Sequence, residues 1–248
     1  LLEKYRTRNG VINAAHAATV EAMDANIGRV LAALEKAGAT QRTHVIFTSD
    51  NGGNRELVAP LNGAKGSLYQ GGLRIPAVIR GPGIPGGRRS RNTILSMDWF
   101  PTVMELANIK PAPGTKPDGA SLVPILHGKT SSLARDLFWH FPCYSGGKPS
   151  SAIRSGDWKL IEFFESKTVE LYDLAKDPGE RHDLATEEPE RAAAMLAKLH
   201  AWQETVKAPR PTDPNPAYDP ASVRGRGRPP GERGGNRKNR QTPNAAKP

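Results

Sequence analysis

The chain has 248 residues, 37% of them hydrophobic, with 35 Lys and Arg against 25 Asp and Glu and a formal net charge of +10. That length suits one large domain, or one domain plus a small one. The single cysteine, Cys143, excludes an internal disulfide framework, and no apolar run reaches the length of a membrane span. The charge is uneven: from Ala208 onward nine Lys or Arg face three Asp or Glu, so six of the ten net charges sit in the tail. The opening residues, L-L-E-K-Y-R, show no signal-peptide pattern.

From Ala14 to Lys36, apolar residues recur at Val20, Met23, Ile27, Val30, Leu31 and Leu34. Steps of three and four predict a helix, and Gly38 stands where a C-terminal cap belongs. The run His44 to Thr48 (H-V-I-F-T) reads as a strand buried on both faces, since it is β-branched and does not alternate. Helix followed by buried strand points to an α/β sheet flanked by helices. Pro76 to Arg80 is a second strand candidate, closed by the breaker cluster G-P-G-I-P-G-G, and Ile94 and Leu95 suggest a further short one. Asp98 is placed to cap a helix running to Ala107, with Pro101 in its first turn. Leu122 to Leu126 reads as a short apolar turn.

After Ser131 the texture changes. D-L-F-W-H-F, S-A-I-R-S, W-K-L-I-E-F-F and V-E-L-Y-D-L are short aromatic or β-branched segments, with S-G-D-W and E-S-K as hairpin signals. They predict a small antiparallel sheet. A helix from Glu187 to Val206, with Leu196, Leu199 and Trp202 on one side, is placed to cover one face of it. From Ala208 the chain is rich in Pro, then in Gly and Arg, and predicts a disordered basic tail with too little apolar surface to offset its ordering entropy. The expected division is therefore 1–130, 131–207 and 208–248.

The stretch T-S-D-N-G-G-N-R-E-L-V-A-P-L-N-G-A-K-G-S-L-Y-Q-G-G-L-R-I-P, from Thr48 to Pro76, admits two readings. Asn51-Gly52 and Asn62-Gly63 are good type I′ turn pairs, which would leave Asp50 at a strand end and Lys65 in solvent. Alternatively, Asp50 and Asn51 directly follow a strand, where open α/β sheets place ligands. A carboxylate and a carboxamide offer oxygens to a hard cation such as Ca²⁺ or Mg²⁺, although two residues are too few for a full shell. Lys65, between Gly63 and Gly66, presents a compact charge suited to phosphate or sulfate. Arg74 reaches the same pocket or braces the loop against an acid, the bracing role being preferred. Position favours the paired cation and anion site, an arrangement suited to hydrolysis of a charged ester.

V-I-F-T-S-D-N-G-G, G-A-K-G-S-L-Y-Q-G-G-L-R-I-P, M-D-W-F-P-T-V-M-E-L-A, D-G-A-S-L-V-P-I-L, A-I-R-S-G-D-W-K-L-I and E-L-Y-D-L-A-K-D-P-G-E-R-H-D-L-A occur in this order. Together they resemble the C-terminal half of a type I sulfatase, from about Ala14 to about Trp202. The resemblance implies an alkaline-phosphatase-like α/β fold with a small C-terminal antiparallel subdomain. It further implies a formylglycine nucleophile made within C/S-x-P-x-R, a Ca²⁺ (or Mg²⁺) cofactor, a sulfated carbohydrate or aryl sulfate substrate, and a periplasmic or extracellular setting. By motif, Asp50 and Asn51 would be metal ligands, Lys65 the sulfate-binding lysine near the leaving-group oxygen, and Gln70 and Arg74 supports of the site. Gln70 departs from the family's Y-E-G-G, losing the acid's charge while keeping hydrogen-bonding capacity.

No C/S-x-P-x-R and no adjacent aspartate pair occur in the sequence, and Cys143 in C-Y-S-G-G lacks the nucleophile pattern. Where Cys143 stands, the resemblance points to a histidine at the pocket rim. The chain alone is therefore expected to hydrolyse no sulfate ester and to be poorly stable by itself, with apolar sheet edges exposed. The nucleophile segment is expected upstream of Leu1. Two other readings are a phosphatase or phosphodiesterase-like hydrolase of the same superfamily, and a degenerate polyanion-binding chain. His140 is a candidate substrate contact, set against a packed sheet residue. His16, His44, His127 and His200 lack metal-ligand spacing, and His182 is read as structural. Trp139, Trp158 and Trp202 are expected to pack the small sheet. The tail has only Tyr218 for stacking, which argues against specific nucleic-acid binding.

Overall fold

A computed structural model of the chain describes residues 1–130, 132–144, 147–211, 213, 215 and 216. The basic run of the expected tail, with Tyr218, lies outside the described residues. After a one-turn helix α1 (Leu2–Arg6), helix α2 spans Ala14–Lys36. It starts where the Asn13 side chain accepts from the His16 N–H (2.9 Å). It ends in a Schellman arrangement, with Gly38 at φ +62° and the Ala39 N–H on the Leu34 carbonyl (2.9 Å). No α2 residue is buried, and Val20, Met23 and Val30 of its apolar set are exposed.

Strand β1 (Val45–Thr48) pairs antiparallel with β2 (Ala77–Arg80), Val45 opposite Arg80 and Thr48 opposite Ala77. This corrects the expectation of a strand buried on both faces: β1 is half-buried, Thr48 is exposed, and among the described residues β2 is its single strand partner. The apolar run is real, but the described residues cover it incompletely. The register closes the segment 49–76 into a loop whose two ends are adjacent, with the Thr48 hydroxyl donating to the Pro76 carbonyl at 3.1 Å. Two single-turn helices lie inside it, α3 (Arg55–Val58) and α4 (Gln70–Leu73).

Ile94 and Leu95 form no strand, because the Leu95 N–H is taken by Asp98 Oδ2 at 2.7 Å. A 3₁₀ turn, Ser96–Asp98, leads into α5 (Trp99–Leu106). Asp98 holds the N-cap position but its side chain does not cap the helix. It is fully buried, accepts the Ala120 N–H on Oδ1 (2.9 Å), and pairs with the Arg135 guanidinium. Its own carbonyl accepts from Thr102 Oγ1, which in turn accepts from the Leu122 N–H ahead of α6 (Val123–Leu126). Three stretches distant in sequence are thereby fastened to one carboxylate.

The second half is a four-stranded antiparallel meander: β3 (Asp136–Phe141), β4 (Ser150–Ser155), β5 (Trp158–Phe163) and β6 (Thr168–Asp173). The β4–β5 turn has Gly156 at φ +60°, as the first central position of a II′ turn requires. Strand alternation sorts side chains onto two faces. One carries Ile153, Leu160 and Leu171 and packs against Ala192, Met195 and Leu199 of helix α7 (Pro189–Thr205). Trp202 of α7 stacks on Phe138 with ring centroids 4.9 Å apart, as the packing role expected of the tryptophans requires. The other face carries Ala152, Ile161, Phe163 and Tyr172, and its cover is Leu68, Tyr69 and Leu73 from the loop between β1 and β2.

The first residues after α7 stay against the sheet. The Ala208 N–H bonds the Gln203 carbonyl, Arg210 bonds the Gln203 side chain, and the Pro209 carbonyl meets His140.

Burial pushes the Asp98 carboxyl up, but the Arg135 guanidinium and the Leu95 and Ala120 amides outweigh it and hold the group below the ordinary carboxylate range. A depressed folded-state pKa stabilises the fold above the unfolded value, about 3.9, and that contribution is lost as pH falls through the folded value. Urea denaturation across a pH series is expected to show a shallower loss of stability below about pH 4 in Asp98→Asn than in the parent. Parallel curves would contradict this account.

Candidate functional site

The loop 49–76 carries every residue singled out for the cation and anion site. At its start, Asp50 is exposed and Asn51 half-buried. The Asn51 N–H donates to Asp50 Oδ1 (3.0 Å), and Asn51 Nδ2 donates to the Gly52 carbonyl (2.8 Å). The second bond engages the carboxamide through its nitrogen, so any cation ligation by this residue would fall to its oxygen.

Neither Asn-Gly pair forms a type I′ turn. That turn needs positive φ at both central residues, and of Asn51, Gly52, Asn62 and Gly63 only Gly63 has it, at +73°. The glycines serve close approach instead. The Gly52 N–H bonds the Gly72 carbonyl (2.9 Å), and the Gly71 N–H bonds the Asn62 carbonyl (2.7 Å). A Cβ on Gly52 would lie 1.9 Å from the Gly71 oxygen, and one on Gly71 would lie 2.5 Å from the Asn62 oxygen. Backbone thus crosses backbone with no room for a side chain.

The same lacing brings the two halves of the site together. The Lys65 N–H donates to the Gly53 carbonyl at 2.9 Å, so the lysine leaves the chain beside the segment that carries Asp50 and Asn51. Lys65 is exposed. Behind it, Ser67 Oγ accepts the Ala64 N–H (3.1 Å) and donates to the Ala64 carbonyl (2.8 Å), closing the turn around Gly66.

The loop is held from below by residues more than a hundred positions away. Glu180, with a fully buried side chain, accepts the Gln70 N–H on Oε2 (2.6 Å) and Lys159 Nζ on Oε1 (2.5 Å). Its carbonyl accepts Asn62 Nδ2 (3.1 Å). Lys159 is also fully buried; desolvation drives its ammonium down and the Glu180 carboxyl up, each opposed by the other's charge. Tyr69 donates to Glu170 Oε2 (2.6 Å), an oxygen also bonded by Tyr172 (2.8 Å). Burial and the Glu170 charge raise both tyrosine hydroxyls, so both stay protonated donors.

The remaining candidates fall around this frame. Gln70 is buried, and its hydrogen bond to Glu180 is made by the backbone rather than the carboxamide. Arg74 is exposed and makes no ion pair among the described residues. Burial and the nearby Arg74 charge lower Arg154, against the pull of Asp157. His140 has both ring nitrogens engaged, Nδ1 with Ser151 Oγ (2.6 Å) and Nε2 with the Pro209 carbonyl (2.8 Å), and packs edge-on to Phe164. Cys143 is an exposed free thiol. It lies on the β3–β4 connection, whose Gly147 comes against the Gly66 carbonyl, so this loop borders the Lys65 turn.

Asp50 and Asn51 suit a hard cation in donor chemistry: one carboxylate and one amide oxygen on neighbouring residues. Among the described residues, no group of three or more His, Cys, Asp or Glu could hold a metal ion, and these two residues alone are too few for a full shell. Sequence reasoning missed Glu180, Lys159 and Glu170 as supports. Glu180 lies in E-R-H-D-L, where nothing in local spacing marks it for a partner at Gln70.

Gly52→Ala would force the Gly52 and Gly71 strands of the loop apart. It is expected to destabilise the protein by about 1–3 kcal/mol in chemical denaturation and to shift the Lys65 and Gly66 amide resonances. An unchanged spectrum would show that the crossing tolerates a side chain.

Comparison with known proteins agrees with this architecture. The sulfatase family model matches residues 2–109, and the model for the C-terminal part of N-sulphoglucosamine sulphohydrolase matches residues 64–207. The chain is 36% identical over 240 residues to a sulfatase of Formosa agariphila, covering 83% of this chain and 43% of that protein. It is 32% identical over 208 residues to an N-acetylglucosamine-6-O-sulfatase of Bacteroides thetaiotaomicron, covering 80% of this chain and 36% of that one. A structure solved with its substrate D-glucosamine-2-N,6-O-disulfate superposes with a TM-score of 0.64 at 28% identity, over 81% of this chain and 41% of the other. The chain thus spans less than half the length of these relatives, and both family models meet on the loop that carries Lys65. On this match the chain belongs to the sulfatase family.

Proposed function

We propose that the chain supplies the anion hold and part of the cation shell of an enzyme that hydrolyses O-sulfate esters, on sulfated sugars or aryl sulfates. The observation that carries this reading is the Lys65 N–H to Gly53 carbonyl bond, which sets the lysine beside Asp50 and Asn51. Its support from relatives is the N-acetylglucosamine-6-O-sulfatase and the neighbour solved with a disulfated glucosamine. In this reading residues 1–130 carry the site, 131–207 form the platform beneath it, and 208–248 are an appended tail. The protein would work in the periplasm or outside the cell, as the family resemblance implies; no described helix is long and apolar enough to cross a membrane.

A sulfate ester carries negative charge in the ground state and gains more on the bridging oxygen as the S–O bond breaks. Lys65 meets that need: its ammonium hydrogen-bonds a sulfate oxygen and lies close to the leaving oxygen, where charge develops. Gly63 and Gly66 leave the loop surface bare enough for the sulfate to approach the backbone. Asp50 and Asn51 would hold a Ca²⁺ or Mg²⁺ whose charge neutralises sulfate oxygens when bound. A nucleophile must attack sulfur opposite the leaving oxygen, and no C/S-x-P-x-R segment among these 248 residues provides one.

Two measurements test this. Titrating inorganic sulfate into the chain with Ca²⁺ present, followed by amide chemical shifts, is expected to move Lys65, Gly66 and Asn51. Lys65→Ala should weaken the affinity at least about tenfold. Equal affinity in the variant, or a preference for phosphate over sulfate, would sink the reading. The chain alone is expected to release no product from an aryl sulfate, and turnover would show that the attacking group is present here.

A further inference from the structure

We propose that Glu180 is the positioning residue of the anion site, acting on Lys65 through the backbone of the loop and through no contact with substrate. The inference rests on the reading of Lys65 as the sulfate hold, and adds to it a residue from the opposite half of the chain.

The loop 62–72 is a closed unit. The Gly71 N–H returns to the Asn62 carbonyl, the Gly63 N–H to Asn62 Oδ1, and the Gly72 N–H to the Tyr69 carbonyl. Its free parameter is where this unit sits on the sheet beneath, and Glu180 holds it at both ends. Its carboxylate takes the Gln70 N–H at one end, and its backbone carbonyl takes Asn62 Nδ2 at the other. Lys65 lies between these two fixed points. Glu180 adopts φ +52°, a conformation uncommon for a residue with a Cβ, and it persists only where surrounding contacts over-determine it. The Gly179 peptide beside it comes against the Pro60 carbonyl, so the whole turn 177–182 is seated under the loop.

Lys159 gives this assignment its direction. It reaches Glu180 Oε1 and leaves Oε2 to the Gln70 N–H. A buried ion pair is a poor source of stability, because desolvating two charges offsets their attraction, whereas it can fix one geometry among several. The pair is accordingly assigned to orientation: Lys159 turns the carboxylate so that one oxygen meets the loop. A plain structural role would require only that the space be filled.

The discriminating experiment compares two double variants of the full 248-residue chain that both remove the buried charges. Lys159→Met with Glu180→Gln keeps an acceptor for the Gln70 N–H; Lys159→Met with Glu180→Leu does not. Inorganic sulfate is titrated into each with Ca²⁺ present, and affinity is read from the Lys65 and Gly66 amide shifts. Amide exchange at Gln70 and the thermal midpoint are measured alongside.

The Gln variant is expected to bind sulfate within about twofold of the parent, and the Leu variant about tenfold more weakly. Exchange at Gln70 should be faster only in the Leu variant. Equal affinity in the two variants, or a loss in both that follows the thermal midpoint, would overturn the positioning role while leaving Lys65 as the anion hold. A parent chain in which sulfate moves no Lys65 or Gly66 resonance would overturn the reading of Lys65, and the positioning role with it.

Discussion

The Glu180 carboxylate is enclosed by protein and has two donors, the ammonium of Lys159 and the backbone N–H of Gln70. An isolated carboxylate in such a place would be strongly disfavoured, so the three groups stand or fall together. Removing Lys159 alone leaves a buried anion with one hydrogen bond; removing Glu180 alone leaves a buried cation with none on this carboxylate. What the arrangement fixes is a relative position: strand β5, the turn before α7 and the loop before β2 can assemble in only one way if these charges are to be satisfied.

The small sheet therefore has two covers of different kinds. Helix α7 covers the Ile153–Leu160–Leu171 face through aliphatic packing, which is non-directional and tolerant of small shifts. The opposite face is covered by Leu68, Tyr69 and Leu73 from the loop that carries Lys65. There the apolar contact is supplemented by directed bonds at Tyr69, Gln70 and Asn62. Apolar burial brings the loop down, and the hydrogen bonds choose where it lands. A loop with an exposed lysine and a buried base combines access from solvent with a fixed position on the sheet.

The second half of the chain was largely legible because its signals are local. The short aromatic or β-branched segments, the S-G-D-W turn and the helical spacing of Leu196, Leu199 and Trp202 each predict the element that forms. At the candidate site the residue types of Asp50, Asn51 and Lys65 were legible, and the lacing of the loop that joins them was not. What resisted reading is long-range. The Asn-Gly pairs look like turns because the sequence cannot show that Gly71 and Gly72 lie across from Gly52. The run V-I-F-T looks doubly buried because apolar composition records a need for cover without saying which residues meet it. Glu180 looks like a surface acid in a polar turn, since its partners at Gln70 and Lys159 become neighbours only after the sheet forms.

The lacing of loop 49–76 also couples the two halves of the site. Asp50 and Asn51 stand next to Gly52, which is bonded to Gly72; Lys65 is bonded to Gly53. From Gly53, where Lys65 is bonded, Asn51 is two residues and Asp50 three residues along the same hydrogen-bonded segment, so neither Lys65 nor this pair can move far without moving the other. For a reaction on a compact tetrahedral anion this is a physical advantage. On the function proposed above, the spacing between a cation on one side and an ammonium on the other would have to match the span of one sulfate group, and a spacing set by backbone bonds varies less than one set by flexible side chains. The same coupling explains why the loop contains so many glycines yet carries few functional side chains. Gly52, Gly71 and Gly72 hold backbones in contact, and that contact fixes how the Lys65 turn lies against the segment that carries Asp50 and Asn51.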